Sequence, residues 1–389
     1  MSATNSRVIT GSLRANPCGT SSNNNMRSAS LRLCRAMPPC RAILVSEYGQ
    51  ADRLVLAEKE TPLPGPGQVQ IRVEAAGVNP SDTYKVLGPA GPYGPSGTNT
   101  PWLIPALPYT PGGDGAGVVS ALGDGVTEFA VGDRVYLMTP LVPKSFTSGT
   151  FAEFTTCDVS QVFPLPDRIS FTQGAAIGVP AATAYRALWQ RGQLQPTESL
   201  FVHGASGGVG LAAVQMAAAA GCFVVGSAGS AAGMEAVQMA GANCVVNHKA
   251  EDYLFAAKAA LPEGSAGFDV VLENFAHINL LPDLGVMGKN GRLLIVGSRP
   301  QSVGLNPRLT MPNELDIRGV FLPMCSAEEV KEIHAELFKL MEADTLVPVV
   351  GLQFGLQDAS KSHVEVMRPT AGGAVGKIVV CPRMPVSIF

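Results

Sequence analysis

Between Arg41 and about Thr156 the apolar positions come in short bursts, each ended by glycine, proline or a polar turn. "AILVSEYG", "QVQIRVEAAGV", "GAGVVSALG", "GDRVYLM" and "FAEFTT" mix β-branched or aromatic residues with polar ones. That pattern predicts short strands of a β-rich domain, a partly open barrel. The segment from Gly88 to Pro108 holds six prolines and four glycines. It admits neither regular helix nor central strand and is expected to be a long irregular loop.

Beyond Phe171 the rhythm changes. "TQGAAIGVPAATAYRALWQ" spaces small residues as a helix does, interrupted by Pro180. Apolar strand runs then alternate with helical segments. "SLFVHG", "CFVVGSA", "ANCVVNH", "FDVVLEN" and "GRLLIVGS" read as strands. "GLAAVQMAAAAG", "SAAGMEAVQMAG", "AEDYLFAAKAAL" and "INLLPDLGVMG" read as the helices between them. Continuously apolar strands alternating with helices predict a parallel sheet covered on both faces. This block ends near Gly319. The tail, with helices around "SAEEVKEIHAELFKLM" and "LQDASKSHVEVM" and a last strand "GKIVVC", is expected to pack back on the β-rich domain. No internal repeat is visible.

Composition narrows the class. With 46% hydrophobic and 15% charged residues among 389, the chain suits a packed globule of two domains rather than a disordered one. The longest weakly polar stretch, Leu211 to Gly229, is broken by Gln215, so no membrane span is expected. Residues 1–36 carry five arginines, many Ser and Asn, and no acid. That composition predicts an organellar transit peptide, mitochondrial in preference to plastid; the plainer alternative is an uncleaved disordered extension on a cytoplasmic protein. Beyond it, 23 of the 28 Lys and Arg face all 31 Asp and Glu, an acidic balance that argues against nucleic acid as a partner. Eight cysteines at 18, 34, 40, 157, 222, 244, 325 and 381 form no C-x-x-C, which predicts reduced thiols.

The stretch "VHGASGGVG", Val202 to Gly210, fits two chemistries. As G-x-S-x-G it matches the strained elbow that presents a nucleophilic serine. As a glycine-rich turn between strand and helix it matches the site where a pyrophosphate lies on a helix N-terminus. The elbow needs an acid and a histidine, for which His248, His277, His334 and His363 are candidates. It also needs αβ units before the turn, and none precede it. Three more αβ units follow, as a dinucleotide fold requires, so Ser206 reads as a donor to phosphate. No acid lies between Leu211 and Met234. The turn "GSAGS", Gly226 to Ser230, thus offers no carboxylate to repel a 2′-phosphate, which favours NADPH over NADH. The nearest basic groups in sequence are His248 and Lys249.

Several long motifs carry a family likeness: "GVNPSDTY", "LPYTPGGDGAGVV", "GDRVY", "GAAIGVPAATAYRAL", "VHGASGGVGLAAVQMA", "VVNHK" and "GRLLIVGSR". From about residue 41 to 382 the chain resembles the zeta-crystallin-like, quinone oxidoreductase branch of the medium-chain dehydrogenase/reductases. The resemblance implies an α/β protein in which a GroES-like β-rich catalytic domain, residues 37–180 and 320–389, is interrupted by a Rossmann doubly wound parallel-sheet domain, residues 181–319. It implies an active site between the two domains and a homodimer or homotetramer. Zinc-dependent cousins carry Cys and G-H-E where this chain has Asn79 and "GGDG" with Asp114. Neither supplies the ligands a catalytic zinc wants, and the four-cysteine structural lobe is missing, so no metal is expected.

The same likeness implies the NADPH contacts. Ser206, Gly207, Gly208 and Val209, in the turn closed by Gly210, would cradle the pyrophosphate. Gly229 and His248 would lie near the adenosine ribose and its phosphate, and Asn279 near the adenine side. Val296, Gly297, Ser298 and Arg299 would end the last cofactor-domain strand beside ribose and nicotinamide, which Val320, Phe321, Leu322 and Thr183 would also reach. Lys377, in "GKIVV", belongs to a motif that the family shares, and Tyr84 would stand by nicotinamide and substrate. A second family tyrosine corresponds to Tyr93 only across a longer loop.

The expected chemistry is hydride transfer from NADPH to a small electron-poor acceptor, a quinone or an enone. Negative charge on the acceptor oxygen would be stabilised by the Tyr84 hydroxyl or the Asn79 amide. Two alternatives stay open. One is an enoyl thioester reductase. The other is a non-catalytic NADPH binder with a structural or RNA-contacting role, against which the acidic body speaks.

Overall fold

The computed structural model describes residues 37–139, 148–299, 302–369 and 375–384. The expected leader, residues 1–36, lies outside the described residues.

Cys40–Leu44 (β1) pairs antiparallel with Val55–Lys59 (β2), a strand with little buried surface and hence no apolar signal in sequence. Gln68–Gly77 (β3) follows, then the helix Pro80–Leu87 (α1), Asp114–Leu122 (β4), Arg134–Met138 (β5), Phe154–Asp158 (β6) and Val162–Pro164 (β7). Val69, Ile71 and Val73 alternate along β3 and are fully buried, so the strand turns one face to an apolar interior. Proline at the first helical position and a capping box between Asn79 and Asp82 start α1.

Between α1 and β4, residues 88–108 make a compact run of turns in place of an irregular loop. Gly91, Gly94 and Gly97 donate successively to the carbonyls of Gly88, Gly91 and Gly94, and Thr100 closes on Tyr93. A Cβ at Gly94 or Gly97 would collide with the carbonyls of Pro89 or Pro92, so the glycines here allow backbone to lie on backbone.

The helices Phe171–Gly174 (α2) and Gly178–Tyr185 (α3) lead to the second sheet. Pro180 falls in the first turn of α3, where its missing N–H costs no intrahelical bond. Ser199–Val202 (β8), Gly208–Ala219 (α4), Phe223–Ala228 (β9), Ala231–Met239 (α5), Cys244–Asn247 (β10), Tyr253–Ala259 (α6), Phe268–Glu273 (β11), Ala276–Leu284 (α7), Met287–Ile295 (β12) and Asp316–Gly319 (β13) then alternate. The six strands are parallel in the order β10-β9-β8-β11-β12-β13, the doubly wound arrangement. The helical reading of "INLLPDLGVMG" ran too far: α7 stops at Leu284, and Met287 already belongs to β12. β13 escaped the pattern because it is an exposed edge strand.

Ala327–Glu342 (α8), Val350–Gly355 (β14), Ala359–Met367 (α9) and Lys377–Cys381 (β15) complete the chain. The first sheet runs β14-β15-β3-β4-β5-β7, with β6 also on β3, so the last strands join a sheet begun some 300 residues earlier. Among the described residues, no helix is long and apolar enough to cross a membrane.

Candidate active site

The glycine turn is built by close contact. Gly204 has φ +62°, and Gly204 N–H donates to Ser227 Oγ while Ala205 N–H donates to the Ser227 carbonyl. A Cβ on Gly210 would come within 2.5 Å of Ala205 Cα, so only glycine lets α4 start this near the strand end. Ser206 is buried, with its side chain against Gly233 at the start of α5. The four histidines that the elbow reading offers are engaged elsewhere, and His203 is taken by Asp283. His334 is hydrogen-bonded to Tyr136, His363 packs on Phe151, His277 accepts from Arg299 N–H and His248 lies on Gly229. Ser206 to Gly210 thus lead into the N-terminus of a twelve-residue helix, whose free N–H groups can receive an anion.

The neighbouring turn brings together two of the expected residues. A Cβ at Gly229 would collide with the His248 ring, whose basicity burial lowers, with His203 and Lys249 adding to the effect. Ser230 caps α5 by accepting from Gly233 N–H. Asn279, on α7, has its amide near His203 and Glu273. That places it on a buried cluster not anticipated from sequence. His203, at the end of β8, is 2.6 Å from Asp283 Oδ1 and 3.7 Å from Glu273 Oε2. Burial holds both acids far above the ordinary carboxylate range, Glu273 up to about 8 and Asp283 up to about 7.

Val296 and Gly297 both donate to the Glu273 carbonyl at the end of β12. Ser298 and Arg299 follow, exposed. Val320, Leu322 and Thr183, the last on α3, are buried, and Phe321 is 37% exposed between its two buried neighbours. From the first sheet's side, Tyr84 meets Tyr93 edge to face, with ring centroids 5.7 Å apart. Burial raises the Tyr84 phenol, and the positive charge of Arg299 opposes that rise. Tyr93, also pushed up by burial, is the aromatic that the long loop supplies.

Asn79 and Lys377 are placed differently from expectation. The Lys377 ammonium donates to Asn79 Oδ1 and lies 3.2 Å from Asp114 Oδ2. The Asn79 amide donates to the same Asp114 oxygen at 2.8 Å. Both ends of the Asn79 side chain are thus committed within the protein, and the Lys377 charge is turned toward Asp114.

A GroES-like sheet joined to a doubly wound sheet whose first helix opens on a close-packed glycine turn defines an oxidoreductase of the medium-chain dehydrogenase/reductase class. Residues 65–167 match the Alcohol dehydrogenase GroES-like domain family and residues 208–340 the Zinc-binding dehydrogenase family. Human quinone oxidoreductase is 39% identical over 341 residues, spanning 87% of this chain and 97% of that protein. A Pseudomonas syringae quinone oxidoreductase superposes with a TM-score of 0.74 at 29% identity, over 88% of this chain and 100% of its own. A mycobacterial protein complexed with NADPH gives a TM-score of 0.74 at 26% identity, over 88% and 100%. The chain belongs to the quinone oxidoreductase branch of the medium-chain dehydrogenase/reductases.

Proposed function

We propose that this oxidoreductase uses NADPH to reduce quinones and does so without zinc. The observation that carries the reading is the half-buried Tyr84 phenol, set on α1 and held edge-on by Tyr93 with ring centroids 5.7 Å apart: it offers a neutral O–H donor to an acceptor oxygen that gains negative charge. Likeness to curated quinone oxidoreductases supports the acceptor class.

The residues present fit NADPH. Ser206, Gly207, Gly208, Val209 and Gly210 would hold the pyrophosphate on the α4 N-terminus. Gly229 and His248 would flank the adenosine phosphate, in a turn with no carboxylate from Leu211 to Met234. When bound, the nucleotide supplies a hydride to the acceptor. The chain orients it, keeps water away, and offers the Tyr84 O–H to the acceptor oxygen. For an enone, Tyr84 or water must also bring a proton to carbon.

The residues at the family's catalytic metal position do not fit zinc. A tetrahedral site wants Cys, His or carboxylate donors around an open position. At the family's metal position this chain has the Asn79 amide and one carboxylate, Asp114, already bound by the Lys377 ammonium.

The test is nucleotide consumption by the full chain with 1,4-quinones, 1,2-quinones, enones and an acyl-CoA enoyl thioester, using NADPH and NADH, with and without a chelator. NADPH-selective quinone turnover that survives the chelator is expected. A requirement for metal, or NADPH binding with no turnover of any acceptor, would overturn the proposal.

A further inference from the structure

The stretch Gly376–Lys377 touches both halves of the site. On one side, Gly376 N–H donates to the Ser206 carbonyl at 2.8 Å, and Gly376 bridges Gly207 in parallel. The Lys377 stem runs 3.6 Å from the position of a Cβ on Gly208. On the other side, the Lys377 ammonium enters a buried polar hub. Asp114, at the start of β4, is fully buried, and Asn79 and Lys377 are 4% and 5% exposed.

The hub gathers four elements. Asp114 Oδ1 accepts from Val179 N–H in α3 at 2.7 Å, and Asp114 Oδ2 takes both Asn79 and Lys377. Asn79 is the N-cap residue of α1, the helix that carries Tyr84 in its second turn. β15 is also pinned beside it, since Val78 N–H donates to the Ile378 carbonyl. Gly77 makes room: a Cβ there would lie 3.0 Å from both Asp114 Cβ and Lys377 Cε. A contiguous path of hydrogen bonds thus runs from the glycine turn through Gly376, Lys377 and Asn79 to the base of the Tyr84 helix.

We propose that Lys377, paired with Asp114, is a positioning residue: it sets the register between the nucleotide-binding turn and the helix bearing Tyr84, and it is not a ligand of the nucleotide. The inference rests on the proposed function, because its readout is turnover of that same site. A charge buried at a junction of elements is poor evidence of stability, since an apolar replacement of the whole pair is often neutral. It does impose geometry, because each partner must be met or pay for desolvation. A displacement of about 1 Å at a reacting pair can cost about a hundredfold in rate.

The experiment compares wild type, Lys377→Met and the double variant Lys377→Met/Asp114→Asn in the full-length protein. It measures kcat with a 1,4-quinone, the NADPH Kd by nucleotide fluorescence and the preference for NADPH over NADH. The expected result for Lys377→Met is a kcat at least tenfold lower with the Kd within about threefold and the nucleotide preference unchanged. The double variant, with no unpaired charge, is expected to fold and to regain part of that kcat. If the single variant does not fold, the double variant carries the same readouts against wild type. A tenfold weaker Kd or a changed preference would make Lys377 a nucleotide ligand and overturn the inference. So would an unchanged kcat, or a double variant that fails to fold or loses more kcat than the single. Wild-type protein without turnover would overturn the proposed function and this inference together, whereas active wild type with any of the contrary variant results overturns the inference alone.

Discussion

Gly210 sits where helix α4 rests on the strand before it, with no room for a methyl group above Ala205. Gly210→Ala is expected to push the helix N-terminus off the turn and to destabilise the protein by roughly 1–3 kcal/mol, read as a lower urea midpoint, with weaker NADPH binding. Tyr84 makes a different demand. It is half-buried and packed edge-on by Tyr93, and the Arg299 charge opposes the rise that burial gives its phenol. Where its hydroxyl must steady charge and also deliver a proton, as with an enone, Tyr84→Phe should cost about 3–4 kcal/mol of barrier. With a quinone, whose product hydroxyls are acidic, only the charge-steadying part is lost, and the cost should be smaller but still about tenfold or more in rate. Equal wild-type rates on both acceptors would remove Tyr84 from the chemistry. Position 84 was readable because "NPSDTY" is a contiguous motif. Its partner Tyr93 was not, since the turns of residues 88–108 that bring it there follow from backbone packing within the loop.

At the scale of elements, the ends of β8 and β11 and the helix α7 converge on His203, Glu273 and Asp283, all buried. Tyr253 on α6, pushed up to about 12, and His248 after β10 are the other titratable groups facing the cluster. Burial raises Glu273 from 4.5 to about 8 and Asp283 from 3.8 to about 7. The folded protein therefore keeps protons that the unfolded chain releases, and the stability this confers is lost as pH rises through that range. His203 is shifted below 6.5, chiefly by burial, and its contribution is lost as pH falls below that value. The acids alone decide the slope above 6.5. The urea midpoint should fall as pH rises from about 6.5 to about 8, and Glu273→Gln should flatten that fall. A flat wild-type profile would show the acids already ionised. The strands and helices that carry the cluster were evident from apolar alternation. The cluster itself was not, because its members are 70 to 80 positions apart or lie on elements whose spacing the pattern leaves undefined.

For the molecule as a whole, the nucleotide is expected to act as a stabiliser. At about 100 times its Kd, a ligand that binds only the folded state adds about 2.7 kcal/mol. NADPH should therefore raise the thermal midpoint by a few degrees, and NADH at the same concentration by less; equal shifts would remove the carboxylate-free turn as the source of discrimination.

By itself the sequence determined what short-range sterics and periodicity decide: apolar strands alternating with helices, a glycine turn between β8 and α4, and a turn without acids between β9 and α5. Those features arise among residues within a few positions of one another. Only the tertiary structure decided that Lys377 pairs with Asp114 and holds Asn79 across 298 positions, and that Tyr84 meets Tyr93. The buried charges that meet there are chosen by which strands pair in the first sheet, where β15 lies beside β3 and β3 beside β4, and a buried charge must take whichever partner that pairing presents.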